Sequence, residues 1–110
     1  MLNLTPHDVT VLSSDGSSVV FPASGMVARV SMTTHPVGMI DGVPIVKAQF
    51  GDATLPDVGE ERRLVVSTMF AEAFLASHHD TEFELYVPDT GPSAIREAGQ
   101  VKAVRALIRK

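Results

Sequence analysis

The sequence predicts a small α+β domain, a strand-rich antiparallel sheet with a single helix near residues 68–78. Three observations carry that expectation. Short segments of alternating, β-branched character are separated by Asp-Gly and Pro/Gly turns. One segment alone changes to helical period. At 110 residues with a hydrophobic fraction of 45%, the chain has enough apolar material for one core and one domain, spanning residues 1–110.

His7 to Ser13 alternates and reads as a strand; Asp15-Gly16 then supplies the positive φ of a tight turn, and Ser18–Phe21 returns before Pro22. Ala23-Ser24-Gly25 is a second turn, followed by an alternating segment from Met26 to Met32. Val37–Ile40 and Val43–Phe50 form a hairpin around Asp41-Gly42, and Pro44 in its return limb calls for an edge or a bulge. Gly51–Glu61 is rich in turn formers and acids and reads as an exposed loop. Leu64-Val65-Val66 is a short apolar strand. Phe70, Ala71, Phe74 and Leu75 make a helical stripe that Ser67 or Thr68 can cap. His78-His79-Asp80-Thr81 closes that helix, Glu82–Val87 alternates as a strand, and Pro88–Pro92 is a loop. The final segment has two readings. Ile95, Ala98, Val101, Val104 and Ile108 would line one face of a helix, whereas a hairpin would join Ala94–Glu97 to Gln100–Ile108 through Ala98-Gly99. Gly99 in mid-segment weakens the helix by about 1 kcal/mol.

Composition removes several classes of function. With no cysteine there is no disulfide scaffold, thiolate zinc site, iron–sulfur cluster or cysteine nucleophile. No apolar run reaches the length of a membrane span, and Met1–Pro6 lacks the character of a signal peptide, so the expected location is the cytoplasm. Net charge is −4, unevenly spread. From Arg96 onward Arg96, Lys102, Arg105, Arg109 and Lys110 face Glu97 alone, a net of +4, which leaves −8 on the preceding residues. An acidic body of this kind is poorly suited to duplex nucleic acid but can hold a small anion locally.

No Walker loop, nucleophile elbow, zinc-protease helix or dinucleotide fingerprint occurs, and no cofactor is expected. His78, His79 and Asp80 could ligate a metal in letters, yet adjacent histidines at a helix end point apart, so a polar helix terminus is the better reading and no metal site is assigned. His7 beside Asp8 would face the opposite side of a strand and reads as structural, and His35 before Pro36 falls in a loop. Arg62-Arg63 after Glu60-Glu61 reads as local ion pairing. Arg96, Arg105 and Arg109 carry more chemistry, because a guanidinium binds phosphate as a bidentate fork and stacks on purines. Asp89 and Thr90 could bind a ribose or a base edge; the other reading of that loop is ordinary turn chemistry. Tyr86 is the one tyrosine in a chain without tryptophan, which argues against a single-stranded nucleic-acid platform.

Asn3-Leu4-Thr5-Pro6-His7 followed by alternating valines resembles the opening of a group of short proteins encoded largely by phages and prophages. Further similarity runs through Pro22-Ala23-Ser24-Gly25, Ala28-Arg29-Val30, Gly42-Val43-Pro44-Ile45-Val46, Leu64-Val65-Val66-Ser67, Val87-Pro88-Asp89-Thr90 and Ala94-Ile95-Arg96-Glu97 with Gly99-Gln100-Val101. It covers nearly the whole chain, in short motifs of which none is catalytic. The family's Asp-Glu-Asn-Gly-like turn is here Glu97-Ala98-Gly99, one residue shorter, which alters the register of the C-terminal segment. The resemblance implies a hairpin there rather than the helix.

This group is in turn similar to phage anti-Thoeris sponge proteins, which sequester cyclic ADP-ribose isomers and some cyclic oligonucleotides without cleaving them. That implies a non-enzymatic protein of the host-cell cytoplasm that counters host defence by holding a small phosphorylated nucleotide. Arg96, Arg105 and Arg109 would meet phosphates, Asp89 and Thr90 ribose or base, and Tyr86 would complete the ligand-binding set. A homo-oligomer, dimer or higher, is expected, since so small a chain offers little concave surface of its own. The alternative is a phage structural component or host-protein interaction module, suited by exposed strand edges. A small hydrolase using His78, His79 or His7 is a third expectation.

Overall fold

The computed structural model describes residues 1–110. It is organised around a four-stranded sheet of order β1 (Leu2–Asn3), β6 (Arg63–Val65), β7 (Glu84–Pro88) and β10 (Leu107–Arg109). The hairpin β2 (Val9–Leu12) and β3 (Ser18–Phe21), the hairpin β4 (Arg29–Ile40) and β5 (Val43–Thr54), and the hairpin β8 (Ile95–Glu97) and β9 (Gln100–Ala103) are antiparallel pairs outside it. The α+β class expected from the sequence is what is observed. Within it, the central sheet is mixed: β1 and β7 each run parallel to β6, and β10 runs antiparallel to β7. The parallel sense of β6 and β7 follows from the helix between them, because a crossover returns the chain to the end at which it started.

That helix, α1 (Thr68–Ser77), begins where its cap predicts. The Ser67 hydroxyl accepts the backbone N–H of Phe70 at 3.1 Å. It ends at His78, whose backbone N–H bonds the Phe74 carbonyl and whose ring stacks on Phe74 at a centroid distance of 4.2 Å. Phe70, Ala71 and Phe74 face the sheet and pack with Leu4, Leu64, Val66, Leu85 and Val87. On the other face of the sheet, Val65 packs with Val9 and Val104, beside Val11, Phe21, Ala94 and Leu107. Leu64, Val65 and Val66 are therefore all buried, which is why β6 reads as an unbroken apolar run rather than an alternating one.

The C-terminal segment is a hairpin and not a helix. Ala98 (φ 53°) and Gly99 (φ 80°) make its two-residue turn, with both residues in the left-handed region. Its return limb stops earlier than the expected Ile108. Val104 is buried against Val11, its N–H bonding the Thr10 carbonyl, and the chain then turns back so that β10 joins the central sheet.

Two further expectations are corrected by the β4–β5 hairpin. The segment Thr33–Pro36, with His35 expected in a loop, continues one 12-residue strand, and the His35 ring nitrogen Nε2 lies 3.0 Å from Gln49 Oε1. The return strand likewise runs on to Thr54, through residues assigned to the Gly51–Glu61 loop. Thr33, Thr34 and His35 break the apolar pattern, but in a two-stranded ribbon open to solvent they pair with Gln49, Ala48 and Lys47 without burial. Pro44 sits opposite Met39 in a strand with a free edge, as its missing N–H requires. This β-arm gives the chain extents of 51 × 37 × 23 Å.

Candidate ligand-binding site

Alternation along β7 sends Leu85 and Val87 into the core beneath α1 and leaves Glu84 and Tyr86 on the opposite face. Register then supplies their neighbours: Arg63 of β6 lies opposite Glu84, and Arg109 of β10 lies opposite Tyr86. The result is a compact charged group. The Tyr86 hydroxyl donates to Glu84 Oε1 at 3.0 Å, Arg109 Nη1 approaches the same oxygen at 3.0 Å, and Arg63 Nε lies 3.5 Å from Oε2. The Arg109 guanidinium sits 6.0 Å from the centre of the Tyr86 ring. The Tyr86 hydrogen bond, with help from the charges of Arg109 and Arg63, holds the Glu84 carboxyl below its usual range against a partial loss of solvent. Two guanidinium groups on one carboxylate leave the patch with one net positive charge. Both arginines are mostly exposed, so each keeps outward N–H donors.

The loop after β7 holds the second group of expected residues. Asp89 Oδ1 accepts the Gly91 N–H at 3.1 Å, the turn chemistry weighed above for this loop, and the Asp89 N–H bonds the Ala106 carbonyl. Arg96 reaches back from β8 to donate to the Thr90 carbonyl at 2.7 Å and the Gly91 carbonyl at 3.4 Å. Its guanidinium thus shapes the loop before it could meet any phosphate. Thr90 lines a cleft of about 150 Å³ with Asp8, Thr10 and Lys102. Arg105 is exposed, directly after the buried Val104.

The six expected residues therefore fall into a Tyr86–Arg109 pair, an Asp89–Thr90–Arg96 group and Arg105 by itself. Sequence reasoning missed Arg63, Glu84 and Lys102. Their strand alternation was visible, but the pairing of β6 with β7 was not.

Other polar residues have structural partners. The His7 carbonyl accepts from both Asn3 Nδ2 and the Thr5 hydroxyl. Arg62 and Arg63 pair with Glu82 and Glu84 rather than with Glu60 and Glu61, and Glu61 instead accepts backbone N–H groups and the chain's amino terminus. His78, His79 and Asp80 border a groove of about 620 Å³ with Phe74 and Phe83, and no three His, Asp or Glu side chains gather as a metal site would need.

No protein-family model, curated protein or solved structure matches the chain.

Proposed function

We propose that this protein is a non-catalytic, phage-encoded binding protein that sequesters a small phosphorylated nucleotide, such as a cyclic ADP-ribose isomer or a cyclic oligonucleotide, and so counters host defence. The observation that carries the reading is the Arg63–Glu84–Tyr86–Arg109 group: exposed guanidinium donors for phosphate beside the chain's one tyrosine ring. The Asp89–Thr90 loop, ordered by Arg96, follows the same strand and offers the Thr90 hydroxyl and the Asp89 carboxylate to a sugar. Sequestration needs affinity and no turnover, and an arginine–tyrosine face can supply that.

A thermal-shift panel of cyclic ADP-ribose isomers, cyclic di- and trinucleotides, ADP-ribose and NAD tests this. A ligand at 100 times its dissociation constant adds about 2.7 kcal/mol to stability. Intact ligand should be recovered afterwards, and Arg63→Ala with Arg109→Ala should abolish the shift. A flat panel, or conversion of the ligand, would overturn the reading.

One observation favours a second reading, a structural or host-protein interaction module: the apolar β-arm leaves Met32, Met39, Val46 and Phe50 in water. Finding the protein in purified particles, or a host protein bound to it, would favour that reading over the first.

A further inference from the structure

The β-arm is the part of the chain that its own core does not cover. A folded monomer of 11.7 kDa exposes about 5,900 Å² by the usual scaling with mass. This chain exposes 7388 Å². The difference, about 1,500 Å², exceeds the roughly 800 Å² that each partner contributes to a standard stable interface. The radius of gyration of 16.5 Å agrees with it, since about 13 Å is ordinary for a domain of this length.

The two faces of the arm differ in kind. Directly paired residues share a face, and faces alternate along a strand. Met32 with Phe50, Thr34 with Ala48, and Pro36 with Val46 therefore stand on one side, and the alternation along β5 adds Pro44 and its partner Met39. Thr33 with Gln49 and His35 with Lys47 stand on the other side along the shaft of the arm, which turns apolar only at its tip, with Ile45 and the Ile40–Val43 pair. The first face carries no charge, and its Met32, Met39, Val46 and Phe50 are 49–68% exposed. At its base, Phe50 and the exposed Met69 of α1 border a groove of about 680 Å³ that also carries Asp52 and Glu72, so the uncharged surface ends there.

We infer that this face is a homodimer interface, the arm of one copy lying face to face against the arm of a second. A two-fold contact uses one patch twice, so each copy covers the excess area of the other. Methionine and phenylalanine without charge are the composition of interface centres. The body of the protein is acidic, yet within the arm Arg29 and Lys47 balance Asp41 and Asp52, so two copies meet there without like-charge repulsion. Pairing edge to edge is blunted on both strands, by Pro36 on β4 and Pro44 on β5. Nothing in this depends on the nucleotide reading: a dimer that binds no nucleotide leaves it standing, and a monomer that binds one overturns it alone.

The test measures mass by sedimentation from micromolar to hundreds of micromolar protein. The wild-type chain should be a dimer, and Met32→Glu with Val46→Glu should weaken association at least about 100-fold, because it buries unpaired charge. Thr33→Lys with Gln49→Glu, a charge-neutral pair on the opposite face, should leave the dimer intact. The helical circular dichroism signal, read beside each run, reports that the core has folded. Because the native chain has no cysteine, single-cysteine variants give a second reading. Ala48→Cys should cross-link copies through a short bismaleimide and Gln49→Cys should not. A monomeric wild type, a dimer indifferent to the double substitution, or equal cross-linking from both faces would overturn the inference.

Discussion

Asn3→Ala should be among the most damaging single changes outside the hydrophobic core. The Asn3 side chain is 2% exposed and uses its full hydrogen-bonding capacity. Its Nδ2 donates to the His7 and Phe21 carbonyls, each at 2.8 Å, and its Oδ1 accepts the Thr5 N–H at 2.9 Å and the Thr5 hydroxyl at 2.7 Å. A net value of about 1 kcal/mol per bond makes the loss about 3–4 kcal/mol, with exposed His7 recovering some hydration. Against a total stability of about 5–15 kcal/mol, that is a large fraction. At roughly 4–8 °C per kcal/mol for a domain near this size, Tm should fall by at least about 10 °C. Urea unfolding followed by circular dichroism, with thermal melts beside it, measures both quantities. Asn3→Asp separates hydrogen bonding from packing. It keeps the acceptor oxygen but puts a second carboxylate oxygen where the amide donated to two carbonyls, so it should be worse than alanine at neutral pH and recover in part as acid restores one donor. A loss below about 1 kcal/mol for Asn3→Ala would refute the reasoning.

Phe70 is 1% exposed at the centre of the α1 face, and Phe70→Ala should cost about 3–5 kcal/mol in urea titrations. Glu84 is held below the ordinary 4.5 first by the Tyr86 hydroxyl, so it contributes stability above that pH, and the contribution is lost as pH falls through its lowered value. Tyr86→Phe should therefore lower the urea midpoint at neutral pH by more than in acid, the gap between the two proteins narrowing below the ordinary 4.5 and closing once pH passes below the lowered value. Arg96→Ala removes both clamps on the Thr90–Gly91 carbonyls. Amide exchange should quicken in residues 89–91 while the global stability falls by only about 1 kcal/mol or less.

Local chemistry was legible in the sequence. The Ser67 cap and the Phe70–Phe74 stripe placed α1 within a residue of its observed ends. Asp41-Gly42 and Ala98-Gly99 marked turns whose φ values are positive at both residues. What escaped depends on contacts between distant segments. The parallel pairing of β6 with β7 brings Arg63 beside Glu84, and only the return of β10 sets Arg109 opposite Tyr86. Arg96 is drawn to backbone carbonyls, which no side-chain pattern announces. The sequence divides the arm into Met26–Met32, Val37–Ile40 and Val43–Phe50 because the polar Thr33-Thr34-His35 and Pro36 interrupt its apolar alternation, and cross-strand pairing tolerates those residues in an open ribbon.

Three stretches singled out in the sequence hold the framework together. Asn3-Leu4-Thr5-Pro6-His7 is a knot tied by one buried amide, and Pro22-Ala23-Ser24-Gly25 closes onto it. The Ser24 hydroxyl donates to the Asn3 carbonyl at 2.7 Å, and Asp8 accepts the Ala23 N–H at 2.8 Å. Leu64-Val65-Val66-Ser67 supplies the most buried strand and the helix cap. These three stretches are accounted for by hydrogen bonds and core contacts within the chain. The charged face of Arg63, Glu84, Tyr86 and Arg109 lies outside those motifs, as do Met32, Met39, Ala48 and Phe50 of the arm. The proposed binding and assembly surfaces thus consist of surface residues that this framework leaves free. Substitutions there should change ligand capture or subunit number while the melting behaviour of the core stays close to that of the parent chain.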